Sequence, residues 1–164
     1  LWKKKEYDKI HFNFSICFRV DYREWMNGRR IIVNGNQTFW DSSSQRSNTY
    51  DDFWQYMELI FMYSGTASLS KELVKVPIVD AEIGDVLIQG GSPGHAVIIL
   101  DKAIHKDTKK SIYLLGQSYM PAQDFHVLNN RNNKKISPWY TFDEVTIETP
   151  EWTFYSQDLK RFID

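Results

Sequence analysis

The stretch Gly84-Asp85-Val86-Leu87-Ile88-Gln89-Gly90-Gly91-Ser92-Pro93-Gly94-His95-Ala96-Val97-Ile98-Ile99-Leu100-Asp101 decides the fold. Two apolar runs, Asp85 to Gln89 and His95 to Asp101, flank a loop of Gly and Pro, which is the pattern of two strands joined by turn chemistry. Ala96 to Leu100 is apolar on both faces, so this strand is expected to be central in its sheet. A charged turn, Lys102 to Lys110, leads to a third strand, Ser111 to Gln117. Asp124 to Leu128 and Val145 to Glu148 are shorter candidates, with the polar loop Asn129 to Lys135 between them.

Upstream the period changes. Tyr50 to Tyr63 carries Phe53, Tyr56, Met57, Ile60 and Phe61 at helical spacing. Gly65 is expected to cap that helix in a left-handed conformation, Thr66 to cap a second helix over Ala67 to Lys75, and Pro77 to stop it. Tyr22 to Arg30 reads as a short helical segment ending near Gly28. Arg30 to Val33 and Gln37 to Trp40 flank Asn34-Gly35-Asn36, a hairpin signal. Strict alternation from Ile10 to Asp21 predicts one long half-buried strand, with His11 and Cys17 on its polar face. Helices followed by a run of antiparallel strands give an α+β fold. The chain, 1–164, reads as a single domain. It opens in mid-pattern without Met, so it is expected to lack an N-terminal portion of the full-length protein.

Composition narrows the function classes. A hydrophobic share of 42% supports a real core. An aromatic share of 15% leaves two uses for the rings: a core built on them, or a groove lined by them. Trp139, Tyr140, Trp152, Phe154 and Tyr155 crowd the C-terminal third and carry the same two readings. A formal net charge of −1 gives no basic footprint for nucleic acid. No apolar stretch approaches the ~20 residues that span a bilayer. Cys17 is the only cysteine, which excludes a disulfide framework and a cysteine metal site. Asp124 and His126 share a strand face, but metal-ligand spacing is lacking, so no metal and no cofactor is expected.

The residues capable of chemistry centre on His95. At the mouth of a central strand beside a glycine loop, it fits a general base; it equally fits a structural histidine bonded to that loop. A hairpin turning near Lys106 would place Gln117 opposite His95, with Ser118 as the alternative partner, and Ile98 opposite Leu114. Gln117 could then hold the imidazole in one tautomer. Thr66, Ser68 and Ser70 lie at a helix start, where they serve as caps or offer a hydroxyl nucleophile. Cys17, expected in mid-strand, lacks the helix dipole that activates a thiol, and slow alkylation is expected of it. Thr66, Ser118, His11 and His126 are the remaining binding candidates.

The segments Tyr63 to Leu73, Gly84 to Asp101, Gln117 to Gln123 and Thr149 to Phe154 resemble a bacterial family known as domain of unknown function 4846. That resemblance covers nearly the whole chain. It implies a secreted protein or lipoprotein, and so an extracytoplasmic location. Gly84-Asp85-Val86 followed by Gly94-His95-Ala96-Val97-Ile98 is also similar to the core of papain-like, NlpC-type cell-wall peptidases. There the order is nucleophile helix, Gly-Asp strand, His strand, and a strand with a polar third residue. The matching positions are the helix after Gly65, then His95, then Gln117. Where those peptidases carry a cysteine, this chain has Thr66, Ala67 and Ser68. The resemblance thus implies a papain-like core acting on cell-wall peptide or glycan. Either it is a hydrolase or acyl-transfer enzyme with Ser68 or Thr66 in place of the thiol, or it is a module that binds without cutting.

Overall fold

The computed structural model describes residues 1–35, 37–119, 123–143 and 145–163. The chain divides into two compact units, Leu1–Leu69 and Ser70–Ile163. Each has its own buried cluster. The architecture is mixed α+β, and its sheets are antiparallel.

In the first unit, β1 (His11–Asn13) and β2 (Arg19–Asp21) pair as a tight antiparallel hairpin. The single strand expected from Ile10 to Asp21 is therefore corrected. Phe14 N–H donates to Phe18 O at 2.9 Å and Cys17 N–H to Phe14 O at 2.8 Å, so the chain reverses within five residues. Alternation cannot report this reversal, because both arms of a short hairpin turn their apolar residues to the same side. Phe14 and Val20 are buried, while Ile16 at the tip is 56% exposed. Cys17 lies in that exposed turn with φ 64°, not in mid-strand.

Helix α1 (Tyr22–Met26) ends before Gly28, whose φ is 91°. A Cβ there would meet the Ser44 carbonyl oxygen at 2.4 Å, so glycine is required both by backbone conformation and by space. Strands β3 (Arg30–Asn34) and β4 (Gln37–Asp41) form the expected hairpin; Asn36 of its turn lies outside the described residues. Helix α2 (Tyr50–Tyr63) is capped by Thr49, whose hydroxyl accepts from Asp52 N–H. Its buried residues Asp52, Tyr56 and Ile60 recur every four positions; Phe61 lies on the exposed face. Arg30 meets Asp52 at 2.7 Å and stacks its guanidinium over Trp25. The helix closes at Ser64, which is extended, and not at a left-handed Gly65 as expected. Ser64 Oγ reaches Asn13 O at 2.9 Å, and this bond to the first hairpin fixes the exit of the chain.

Helix α3 (Thr66–Glu72) is shorter than predicted. Val74 and Lys75 form the edge strand β5 (Val74–Lys75). Then come β6 (Val86–Gln89), β7 (His95–Ile104), β8 (Ser111–Tyr119), β9 (Gln123–Val127), β10 (Trp139–Tyr140), β11 (Thr146–Glu148), β12 (Thr153–Tyr155) and β13 (Leu159–Arg161). The main sheet runs β10-β8-β7-β6-β13-β5, with β9 also on β8, so β7 is central as its two-faced apolarity requires. Val97, Ile99, Leu115, Phe154 and Leu159 are almost wholly buried in one core. Each such side chain contributes on the order of 1.5–3 kcal/mol.

The β7–β8 pairing places Ile98 opposite Gly116, two residues from the expected register. A two-residue offset preserves which face each side chain occupies, whereas a single-residue offset would invert it. A bulge between Ile99 and Asp101 interrupts the ladder. The bulged Leu100 lies over Gly116, where a Cβ would come within 2.6 Å of Leu100 Cδ1 and 2.7 Å of Phe125 Cζ.

Candidate functional site

His95 starts β7 directly after the loop Gly90 to Gly94, and it is 8% exposed. Its Nε2 lies 2.6 Å from Gln117 Oε1. Gln117, on β8, is 2% exposed, and its Nε2 donates to Glu151 Oε2 at 2.8 Å. These contacts fix the direction of every proton in the chain. A carboxylate only accepts, so the amide nitrogen of Gln117 faces Glu151 and the amide oxygen faces the imidazole. That oxygen also only accepts, so His95 Nε2 carries the hydrogen and Nδ1 is left as the basic nitrogen of the neutral ring.

Three rings enclose the imidazole. Tyr119 stands edge-on with centroids 5.4 Å apart, Trp152 is tilted at 5.6 Å, and Phe154 is stacked at 6.0 Å. Trp152 is itself held: its Nε1–H donates to Gln89 Oε1 at 2.9 Å, and Gln89 Nε2 donates to Asp158 Oδ2 at 2.7 Å. Gln89 is the ladder partner of His95, so one strand pair supplies both the imidazole and the tether of the ring that covers it.

Glu151 and Trp152 belong to the turn between β11 and β12. Thr149 closes that turn three times. Its N–H and its Oγ1–H both donate to Trp152 O, at 2.8 and 2.7 Å, and its Oγ1 accepts from Trp152 N–H at 3.2 Å. An open cleft of about 400 Å³ adjoins His95, lined also by Pro93, Gly94, Ser118, Tyr119, Gln123 and Trp152.

The structure brings His95 and Gln117 into direct contact and sets Ser118 in the same cleft. Ser68 lies in the first unit and is 2% exposed. Its hydroxyl donates to Gly65 O at 3.0 Å and accepts from Gly65 N–H at 3.3 Å, the behaviour of a residue that closes a helical turn. Thr66 is the first residue of α3. His11 is on β1, and its buried Nδ1 has no hydrogen-bond partner among the described residues. His126 lies on β9, with Nδ1 2.8 Å from Asp124 O, and Gln117 is its ladder neighbour. Met120, Pro121 and Ala122 of the motif Gln117 to Gln123 lie outside the described residues. Among the described residues no three His, Cys, Asp or Glu side chains converge as a metal site would need. No helix among them is long and apolar enough to cross a membrane.

Glu151, Gln89 and Tyr119 were not visible as site residues in the sequence. Glu151 sits in a recognisable motif, but its bond to Gln117 spans 34 positions, beyond any local pattern. The Gly84-Asp85 pair serves the framework of the sheet, since the Asp85 carboxylate is 1% exposed and held by Arg161.

The chain belongs to the family described as domain of unknown function (4846), whose model matches residues 1–161. Neither the curated proteins nor the solved structures give a match.

Proposed function

We propose that this chain is a cell-envelope hydrolase or acyl-transfer domain with a papain-like core, in which His95 is the general base. One observation carries the reading: His95 is buried beside an open cleft with its Nε2–H committed to Gln117, which leaves Nδ1 to take a proton. Gln117 has the role of orienter. Ser68 is the candidate nucleophile. In such a reaction a hydroxyl nucleophile bonds to the acyl carbon as its proton goes to a base, the leaving group departs with that proton, and water or a second acceptor then releases the acyl group. The order of helix, Gly-Asp strand, His strand and polar strand resembles that of cell-wall peptidases, and this resemblance supports cell-wall peptide as the substrate and an extracytoplasmic location.

A second reading has its own support. The Ser68 hydroxyl is engaged with Gly65 in both directions and must leave it before it can attack. A module that binds cell-wall peptide or glycan against Trp152 and Tyr119 needs no such change.

The test is release of fragments from peptidoglycan by wild type, His95→Ala and Ser68→Ala, with peptidoglycan binding and thermal melting measured on each. The enzyme reading expects both variants to lose on the order of 10³-fold in turnover with melting preserved, and the double variant to be little worse than either single one. No turnover by the wild type, with binding that survives Ser68→Ala, replaces it by the binding module. Activity that falls only in step with melting temperature removes both residues from catalysis.

A further inference from the structure

We infer that Glu151 is a positioning residue: acting through Gln117, it determines which nitrogen of His95 carries the proton. Its consequence for turnover rests on the base role of His95 proposed above, but the inference itself concerns the free protein.

A glutamine side chain can meet an imidazole with either end. Presented oxygen-first, it demands a proton on the facing nitrogen. Presented nitrogen-first, it demands a bare one. Gln117 is buried, so the choice is made by its other neighbour, and that neighbour is Glu151 Oε2 at 2.8 Å. A carboxylate accepts only from the amide nitrogen. Turning the amide over would set its oxygen against the Glu151 carboxylate, while its NH2 could still donate to a bare Nε2. The bond lost is the charge-assisted one, in a place with little water to replace it. The arrangement Glu151–Gln117–His95 is thus a single directional chain, 2.8 Å and then 2.6 Å.

Nor is Glu151 a floating surface carboxylate. It is half-buried in the turn that Thr149 closes onto Trp152, and Trp152 is anchored to Gln89 on β6. The same turn therefore delivers the ring that covers His95 and the charge that orients its partner. A merely structural Glu151 would hold the turn down and leave the imidazole indifferent to its chemistry. A positioning Glu151 transmits its acceptor character to the ring.

The experiment reads the His95 ring nitrogens by nitrogen-15 NMR in the intact chain, at a pH where the ring is neutral. In the wild type the proton-bearing nitrogen is expected to be Nε2. Glu151→Gln can present its own oxygen toward Gln117, so the Nε2 form stays allowed but is no longer enforced. Glu151→Lys offers a donor instead, which should turn the amide over and move the proton to Nδ1. Glu151→Ala should release the Gln117 side-chain amide, shifting its NH2 resonances toward those of an exposed glutamine. A His95 proton that stays on Nε2 in a folded Glu151→Lys variant, together with unmoved Gln117 resonances in Glu151→Ala, overturns the inference. If Glu151→Lys does not fold, the Glu151→Ala resonances decide alone. If the tautomer moves as stated while no variant or wild type shows turnover, the positioning role stands and the enzymatic reading fails. If the wild type is active, Glu151→Ala should lower kcat roughly 10-fold with KM little changed, and Glu151→Gln should restore part of it.

Discussion

Arg161 grips the Asp85 carboxylate with both arms of its guanidinium, Nε to Oδ1 at 2.6 Å and Nη2 to Oδ2 at 2.8 Å. The same Oδ2 accepts the Glu82 amide at 2.9 Å, and Nη2 also reaches Asp80 O. The hydrogen bond to Asp85 raises the Arg161 pKa above its ordinary value, with burial acting the other way and the charge of Asp85 adding to the rise. This clamp ties the last strand, β13, to the start of β6 at a carboxylate with almost no water around it.

Removing either half should therefore cost stability unequally. Asp85→Ala orphans the Glu82 amide and is expected to lose about 1–3 kcal/mol from that group alone. Arg161→Met leaves a buried carboxylate without its partner and should be worse than Arg161→Lys, which keeps the charge but loses the fork. Urea midpoints for the three variants measure this. Equal midpoints for Arg161→Met and wild type would show that the clamp adds nothing.

Tyr140 offers an alkaline signature. Burial, with the Glu151 carboxylate adding to it, pushes its phenol from 10.0 up to about 12. The folded chain keeps this proton while the unfolded chain gives it up near 10, so stability should fall as pH rises from about 10 toward 12. Tyr140→Phe abolishes that contribution, at the cost of the bond to Asn129 O at 2.8 Å. Burial also raises the Tyr22 phenol, so ultraviolet titration should show one late phenolate fewer in the variant than in the wild type, and the variant's stability should decline less steeply over the same range. Equal numbers of late phenolates in the two proteins would contradict it.

Cys17 should react with iodoacetamide in the native protein at a rate comparable to that of the denatured chain, because its turn is exposed. The expectation of slow alkylation rests on a mid-strand position without a helix dipole to activate the thiol. Mass spectrometry of alkylated protein, native against urea-treated, reads the ratio, and strong native protection would return the thiol to an inaccessible place.

How far the sequence carried can be seen residue by residue. The helix Tyr50–Tyr63 and the hairpin around Gly35 were legible to within a residue or so, because a 3.6-residue period and an Asn-Gly turn are local signals. The central place of β7 followed from apolarity on both faces. The His95–Gln117 contact was legible although the register was not, since parity alone puts both side chains on one face. The reversal at Phe14–Phe18 stayed hidden because no Gly or Pro marks it and a cysteine takes the left-handed position instead. Glu151 stayed hidden because its meaning depends on a partner supplied by another hairpin.

The bulge at Leu100 divides the long β7–β8 hairpin into two stretches with different tolerance for change. Beyond it, the tip from His105 to Lys110 is exposed throughout and is the better place for inserted residues. Between His95 and Leu100 the residue count itself is constrained. One residue added or deleted there would put the imidazole on the opposite side of the sheet from Gln117, with every side chain still chemically intact. A peptide tag or a permuted terminus thus belongs at the hairpin tip, and a single-codon deletion before the bulge is the most economical way to disconnect the site without altering any of its residues.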